Sequence, residues 1–220
     1  MWLFNSSIGK KVVMSVTGLA LILFLTFHMA MNCVALFSAE GYEMICTFLG
    51  ANWYAMVGTI GLALLMVIHF VYAFWLTLTN KKARGTQRYE VTARPKGVEF
   101  ASRNMFVLGL LVLLCLILHL TDFWAKMQLQ NWLGGEEGDP YMLMEATFGR
   151  WWITCMYLVW FVIVWLHLTH GFWSALQTLG WNNQIWFKRW KWIGCIYVTL
   201  LMLGFVVVAI YAYCKAHGCC

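Results

Sequence analysis

The stretch Val159–Leu179, VWFVIVWLHLTHGFWSALQTL, is an apolar run long enough to cross a lipid bilayer, yet it carries His167 and His170 in its interior. A titratable imidazole at membrane depth is costly unless it is paired or coordinated. Three further apolar runs each carry one interior histidine, and these are His28, His69 and His119. Four membrane segments that each bring a histidine predict two pairs of metal ligands.

The composition indicates an integral membrane protein. Of the 220 residues, 62% are hydrophobic and 11% are charged, whereas soluble domains are about half apolar and about a quarter charged. No alternation of apolar and polar residues indicates a barrel, so we expect an all-α chain. The charges cluster between the apolar runs, and the net charge of +6 therefore does not predict nucleic acid binding. The eight cysteines form no CxxC motif, which argues against a zinc site and against c-type haem.

We predict a single domain, a bundle of five transmembrane helices that encloses two haem b groups. Each end of a helix is uncertain by about 2–4 residues. The predicted helices are about Val12–Leu36, Trp53–Thr79, Asn104–Phe123, Trp151–Leu179 and Trp192–Tyr213. Most of the 15 Lys and Arg residues flank the same ends of these helices, which predicts a cytoplasmic N-terminus and an outer C-terminus. The longest outer connection, Ala125–Arg150, is predicted to lie on the surface.

The depth of each histidine in the membrane predicts how they pair. His28 and His119 lie about 15 residues from the inner ends of their helices, or roughly 22 Å at 1.5 Å per residue. His69 and His167 lie about 10–12 residues from theirs, or roughly 15–18 Å. We therefore expect an outer pair, His28 with His119, and an inner pair, His69 with His167.

Two histidines per level favour haem over a metal ion held by protein alone. Imidazole binds zinc, copper, iron and nickel, but zinc sites gather three or four ligands at one point. Bis-histidine haem b needs only two, because the macrocycle fills the other positions. His170 could replace His167 as a ligand, but we expect it to donate to a haem propionate or to a backbone carbonyl. Other candidates for the propionates are Lys10, Lys11, Ser15 and Ser174, and the glycines expected to leave room for close packing are Gly58, Gly61, Gly109 and Gly171.

These residues resemble a known family over the whole chain. The run HLTHGFWS, His167–Ser174, looks like the fourth-helix motif of the dihaem cytochrome b subunit of succinate:quinone oxidoreductases. The run His28–Asn32, HMAMN, resembles its first-helix HxxxN motif, while His69 resembles the second-helix ligand and His119 with Asp122 the third-helix pattern.

The resemblance implies a membrane anchor in a bacterial cytoplasmic membrane. Its partners are a flavoprotein with FAD, which carries out the dicarboxylate chemistry, and an iron–sulfur protein, and such complexes often form dimers. His69 and His167 would hold the inner haem, and His28 and His119 the outer haem. Menaquinone would react near the outer haem as substrate. Candidates for the quinone site are Glu43, Glu40, Asn32 and Asp122.

One position departs from the family pattern, and two alternatives remain. Some members have a glutamate two residues before the fourth-helix histidine, where this chain has Trp165, so coupling to proton movement across the membrane is open. The alternatives are the cytochrome b of a membrane hydrogenase or formate dehydrogenase, and an ion transporter with histidine ligands. The basic stretches Lys81–Arg103 and Lys188–Lys191 are candidate docking surfaces for the soluble partners, or signals of topology alone.

Overall fold

The described part of the chain is helical and contains no strand. The computed structural model describes residues 6–50, 52–84, 100–135 and 138–219. Its α-helices are α1 (Ser7–Cys33), α2 (Ala39–Gly50), α3 (Trp53–Arg84), α4 (Phe100–His119), α5 (Gln130–Trp132), α6 (Pro140–Phe148), α7 (Trp151–Thr178) and α8 (Gln184–Ala216). A 3-10 turn, Val34–Leu36, follows α1. A π-helical segment, Leu120–Leu129, joins α4 to α5.

Five of these helical stretches are long and apolar enough to span a membrane, as the sequence predicts. They are built on α1, α3, α4, α7 and α8, and their most apolar windows have mean hydropathies from 1.8 to 2.7. Large apolar side chains such as Leu23, Ile60 and Leu200 are about half exposed or more. Such a surface suits hydrocarbon better than water.

Four of the spanning helices form a ring, and the fifth packs against its outside. Around the ring, α1 contacts α3, α3 contacts α4, α4 contacts α7, and α7 contacts α1. Helices α1 and α4 therefore face each other on one diagonal, and α3 and α7 on the other. Helix α8 packs along α7 and α1. The short helices α2 and α6 lie at one end of the bundle, here named the capped end, and the opposite end is named the basic end.

Helices α7 and α8 form the most tightly packed part of the bundle. Of the most apolar 18-residue stretch in each helix, 28% is buried in α7 and 33% in α8, against 6% in α3 and in α4. Gly194 of α8 permits this approach, because a Cβ atom there would lie 2.6 Å from Cδ1 of Phe172 on α7. Val198 and Leu201, further along α8, are almost fully buried.

The predicted helix ends are wrong where a helix continues beyond its apolar run. The helix that contains His119 continues through Trp132. It ends near Gly134, which has a φ of +79°. Much of the stretch predicted to lie on the surface, Ala125–Arg150, is thus an extension of the third span, followed by α6. The reason is that helix ends are set by caps and glycines, whereas hydropathy reports only the apolar part.

The fifth span likewise begins earlier than predicted, at Gln184 instead of Trp192. The side chain of Asn183 caps it, since Oδ1 accepts from the backbone N–H groups of Ile185 and Trp186 at 3.0 and 2.8 Å. The basic stretch Lys188–Lys191 therefore lies within the first turns of α8, not in a loop. Of the other basic stretch, Lys81–Arg103, residues 85–99 lie outside the described part of the chain.

Substitution of Gly194 by alanine should loosen the contact between α7 and α8. Overpacking against the Phe172 ring costs about 1–3 kcal/mol, which exceeds the gain of up to about 1 kcal/mol in helix propensity. We expect the thermal midpoint of the detergent-purified protein to fall.

The matched control is Gly61→Ala on α3, where no described atom lies within 4 Å of the added Cβ. This variant should melt at or above the midpoint of the unmodified protein. Equal midpoints for the two variants would contradict the packing assigned to Gly194.

Candidate functional site: two histidine pairs across the bundle

The histidine pair nearer the capped end spans the first diagonal of the ring. The imidazoles of His28 on α1 and His119 on α4 have centroids 5.9 Å apart and planes at 82°. Phe24 stacks on His28 at 5.6 Å and 17°, and Trp160 lies 5.7 Å from His119. The structure thus brings together the two residues predicted to form the outer pair, with aromatic rings beside them.

The second nitrogen of His119 is held by a tyrosine hydroxyl. The Tyr157 oxygen lies 3.4 Å from Nδ1 of His119 and 3.4 Å from Oδ2 of Asp122. A carboxylate oxygen only accepts, so the single hydroxyl proton is donated to Asp122. The same oxygen then accepts from Nδ1–H of His119, which leaves Nε2 with its lone pair.

Asn32 and Tyr42 lie beside His28. The Asn32 amide donates to the His28 carbonyl at 2.7 Å, and its nitrogen lies 3.5 Å from Nε2, at the limit of a hydrogen bond. The Tyr42 hydroxyl of α2 donates to Oδ1 of Asn32 at 3.5 Å. Polar groups therefore extend from this pair towards the capped end.

The second pair lies nearer the basic end, on the other diagonal. Oγ1 of Thr17 lies 3.0 Å from Nδ1 of His69. Its single proton points at the backbone carbonyl of Val13, at 2.9 Å, so the hydroxyl accepts from Nδ1–H and Nε2 of His69 keeps its lone pair. His167 lies on α7, across the ring from α3 and His69, and its buried Nδ1 has no hydrogen-bond partner among the described residues.

Two glycines make room for the imidazoles of this second pair. A Cβ on Gly18 of α1 would lie 3.2 Å from Cε1 of His69, and one on Gly109 of α4 would lie 3.4 Å from Cε1 of His167. Each histidine of one diagonal thus rests against a helix of the other. Gly109 is among the predicted glycines, but Gly18 is not. Gly58, Gly61 and Gly171 meet no described atom of another helix within 4 Å, so the room expected there stays a prediction.

The other predicted residues are divided between the two ends. At the capped end, Asp122 lies 4.0 Å from the ammonium group of Lys126. Glu40 on α2 is exposed and Glu43 is half-buried, and the α2 side chain that reaches Asn32 is Tyr42 instead.

At the basic end, Lys10 lies over the ring of Trp75, with Nζ 3.9 Å from the centroid. His170 meets the Trp173 ring edge-on at 4.8 Å. Lys11 is exposed, Ser15 is buried and Ser174 is half-buried.

Sequence reasoning missed the hydroxyl side chains of Thr17, Tyr42 and Tyr157. Thr17 lies on the same helix as His28 but about three turns earlier, and Tyr157 lies ten residues before His167. A hydroxyl within one or two turns of the expected depth of a histidine, on a neighbouring helix, is the signal that would have found them.

Comparison of the chain with models of protein families, with curated proteins and with solved structures gives no match. Within the described residues, no three His, Cys, Asp or Glu side chains converge in a way that could hold a metal ion. The strongest chemical feature of the described chain is therefore the two histidine pairs.

Burial raises the pKa of the Tyr42 phenol above its usual value near 10, and Cys46 acts in the same direction. The folded protein holds the Tyr42 proton more tightly than the unfolded chain does. The contribution of Tyr42 to the free energy of unfolding is therefore complete below about pH 10 and is lost as the pH rises through the raised pKa. We expect the thermal midpoint to fall less steeply above about pH 10 in Tyr42→Phe than in the unmodified protein.

The control for this measurement is Tyr54→Phe, because Tyr54 is 38% exposed. A Tyr42→Phe profile that superimposes on the control would show that this phenol is not kept from ionising by the fold.

Proposed function

We propose that the chain is the dihaem cytochrome b membrane anchor of a succinate dehydrogenase or fumarate reductase complex. It carries electrons between an iron–sulfur subunit and menaquinone in the membrane. The observation that carries this proposal is the meeting of His28 and His119 across one diagonal of the helical ring, while His69 and His167 lie on the other diagonal. Each pair supplies one ligand from each of two facing helices, which is the donor set that a haem b between them requires.

The geometry of the capped-end pair fits a shared metal ion. The imidazoles of His28 and His119 would hold the iron of one haem, since their ring centroids lie 5.9 Å apart across the bundle. In His69 and His119 the Nδ1–H is taken up by a hydroxyl, so Nε2 is the nitrogen available for coordination.

The residues around each pair orient the ligands and exclude water. Thr17 and Tyr157 fix the rings of His69 and His119, and the aromatic side chains beside the capped-end pair provide an apolar wall. When bound, haem supplies an iron that takes up and releases one electron at a time. Lys10, Lys11, Ser15, Ser174 and His170 are the candidates at the basic end to hold its propionates.

Quinone chemistry requires protons as well as electrons, and the capped end carries the groups that exchange them. Asp122 and Asn32 lie beside the capped-end histidine pair, with Glu43 and Glu40 further out on α2. A carboxylate within reach of a quinone oxygen can donate or accept the proton. We therefore place the quinone at this end, on the outer side of the membrane.

The basic end faces the cytoplasm in this proposal and receives the soluble partners. Those partners are the iron–sulfur protein and the flavoprotein with FAD, where dicarboxylate chemistry takes place. The complex resides in a bacterial cytoplasmic membrane, with two copies of the three-subunit unit as the expected assembly. The positive-inside rule supports this orientation, because Lys10, Lys11, Lys81 and Lys82 all flank the same end.

Replacement of any one of His28, His69, His119 and His167 by alanine should remove one of the two haems from the purified complex. The physical reason is that each haem loses an axial ligand while the other pair stays intact. Haem is counted per complex from the pyridine haemochrome spectrum.

Two matched controls separate ligands from other histidines. His170→Ala, one turn from His167, and His217→Ala, in the exposed C-terminal tail, should both retain two haems. A colourless unmodified complex would overturn the proposal and favour an ion transporter, whereas haem without a flavoprotein partner would favour a hydrogenase or formate dehydrogenase anchor.

A further inference from the structure

Tyr157 places a phenol hydroxyl deep in the bundle, between a histidine and a carboxylate. The side chain is 2% exposed, and its oxygen is 3.4 Å from both Nδ1 of His119 and Oδ2 of Asp122. Its proton is committed to the carboxylate, so the hydroxyl can serve His119 only as an acceptor. The result is a chain of two hydrogen bonds that ends in a carboxylate.

The ring of Tyr157 is held in place from several sides. Phe148 and Trp160 meet it edge-on at 5.1 and 5.6 Å, and Phe123 does so at 6.4 Å with planes at 90°. Edge-to-face contacts at these distances are favourable and specific in direction. The hydroxyl therefore has little freedom to leave its position between His119 and Asp122.

The backbone after His119 contributes to the same arrangement. The π-helical segment begins at Leu120, directly after the histidine, and contains Asp122. Such segments are rare and are found frequently at functional sites. Here the segment carries the carboxylate that meets the same hydroxyl as His119.

Among the described residues, the chain of hydrogen bonds behind His69 contains no carboxylate. Thr17 accepts from His69, but its own proton goes to the backbone carbonyl of Val13. The ring of His69 is thus backed by a neutral group, and the ring of His119 by an acidic one. An imidazole whose N–H is bonded towards an acceptor of higher charge is a more basic ligand.

We propose that Tyr157 is a positioning residue that couples Asp122 to His119 and thereby lowers the reduction potential of the haem held by His28 and His119. The inference rests on the proposed function. A more basic histidine would stabilise oxidised iron more than reduced iron, and hydrogen bonding behind such a histidine is one of the means by which a protein sets haem potential. The two hydroxyls, one with a carboxylate and one without, thus separate the potentials of two otherwise similar haems.

The test is a redox titration of the complete complex, followed by visible absorption, for Tyr157→Phe, Asp122→Asn and the double variant. We expect Tyr157→Phe to raise the midpoint potential of one haem and to leave the other unchanged. A tenfold change in the preference of the site for oxidised iron, the lower end of the range for partners behind a ligand, corresponds to about 59 mV for one electron. Asp122→Asn should shift the same haem in the same direction.

The double variant tests whether Asp122 acts through Tyr157. If it does, the shift in the double variant equals that of Tyr157→Phe alone, because the carboxylate no longer has a path to His119. The control is Tyr211→Phe, which removes a phenol that contacts Tyr141 at 3.4 Å at the same end of the bundle. Both haem potentials should be unchanged in this control.

Each outcome separates this inference from the proposed function. Two haems with unshifted potentials in Tyr157→Phe and Asp122→Asn would overturn the coupling and leave the function standing. Additive shifts in the double variant would likewise overturn the path through Tyr157. If Tyr157→Phe loses a haem and Asp122→Asn leaves both midpoint potentials unchanged, Tyr157 has only a packing role and the inference is overturned. A complex without haem would overturn the proposed function itself.

Discussion

An imidazole in the interior of a membrane bundle has two ring nitrogens, and each must be satisfied without water. The structure satisfies one nitrogen of His69 and one of His119 with a hydroxyl from a neighbouring helix. Because each hydroxyl has already given its proton elsewhere, it fixes which nitrogen carries hydrogen. The remaining nitrogen then carries a lone pair and points away from that hydroxyl, which is the condition for a metal ligand. This constraint links the helical ring to its chemistry.

The ring of four helices makes this arrangement possible. Side chains that meet across a diagonal need helices that face each other, and the contact pattern of α1, α3, α4 and α7 provides two such diagonals. The glycines of one diagonal face the histidines of the other, at Gly18 and Gly109. A larger residue at either position would press on an imidazole, so close helix packing and ligand orientation depend on the same small residues.

Hydropathy alone predicts the five spans and the level of each histidine, because burial in lipid demands long apolar helices. It does not predict where those helices end. Asn183 starts α8 and Gly134 ends the third span, and both act through local backbone geometry that a count of apolar residues ignores. The predicted partners of the histidines are incomplete for another reason. Whether Thr17 or Tyr157 meets a histidine depends on the rotation of its helix, and apolar residues surround these helices on every side.

The position of Trp165 bears on where protons move. Its indole donates to Oγ1 of Thr199 on α8 at 2.9 Å, and that hydroxyl donates to the Cys195 carbonyl at 2.7 Å. The Trp165 side chain is thus bonded to α8 through Thr199, whose hydroxyl is neutral. The carboxylate and phenol groups near the histidines lie instead at the capped end, in Asp122, Tyr157 and Tyr42. On the proposed function, protons therefore exchange with the quinone at that end, while the helices between the two histidine levels carry electrons alone.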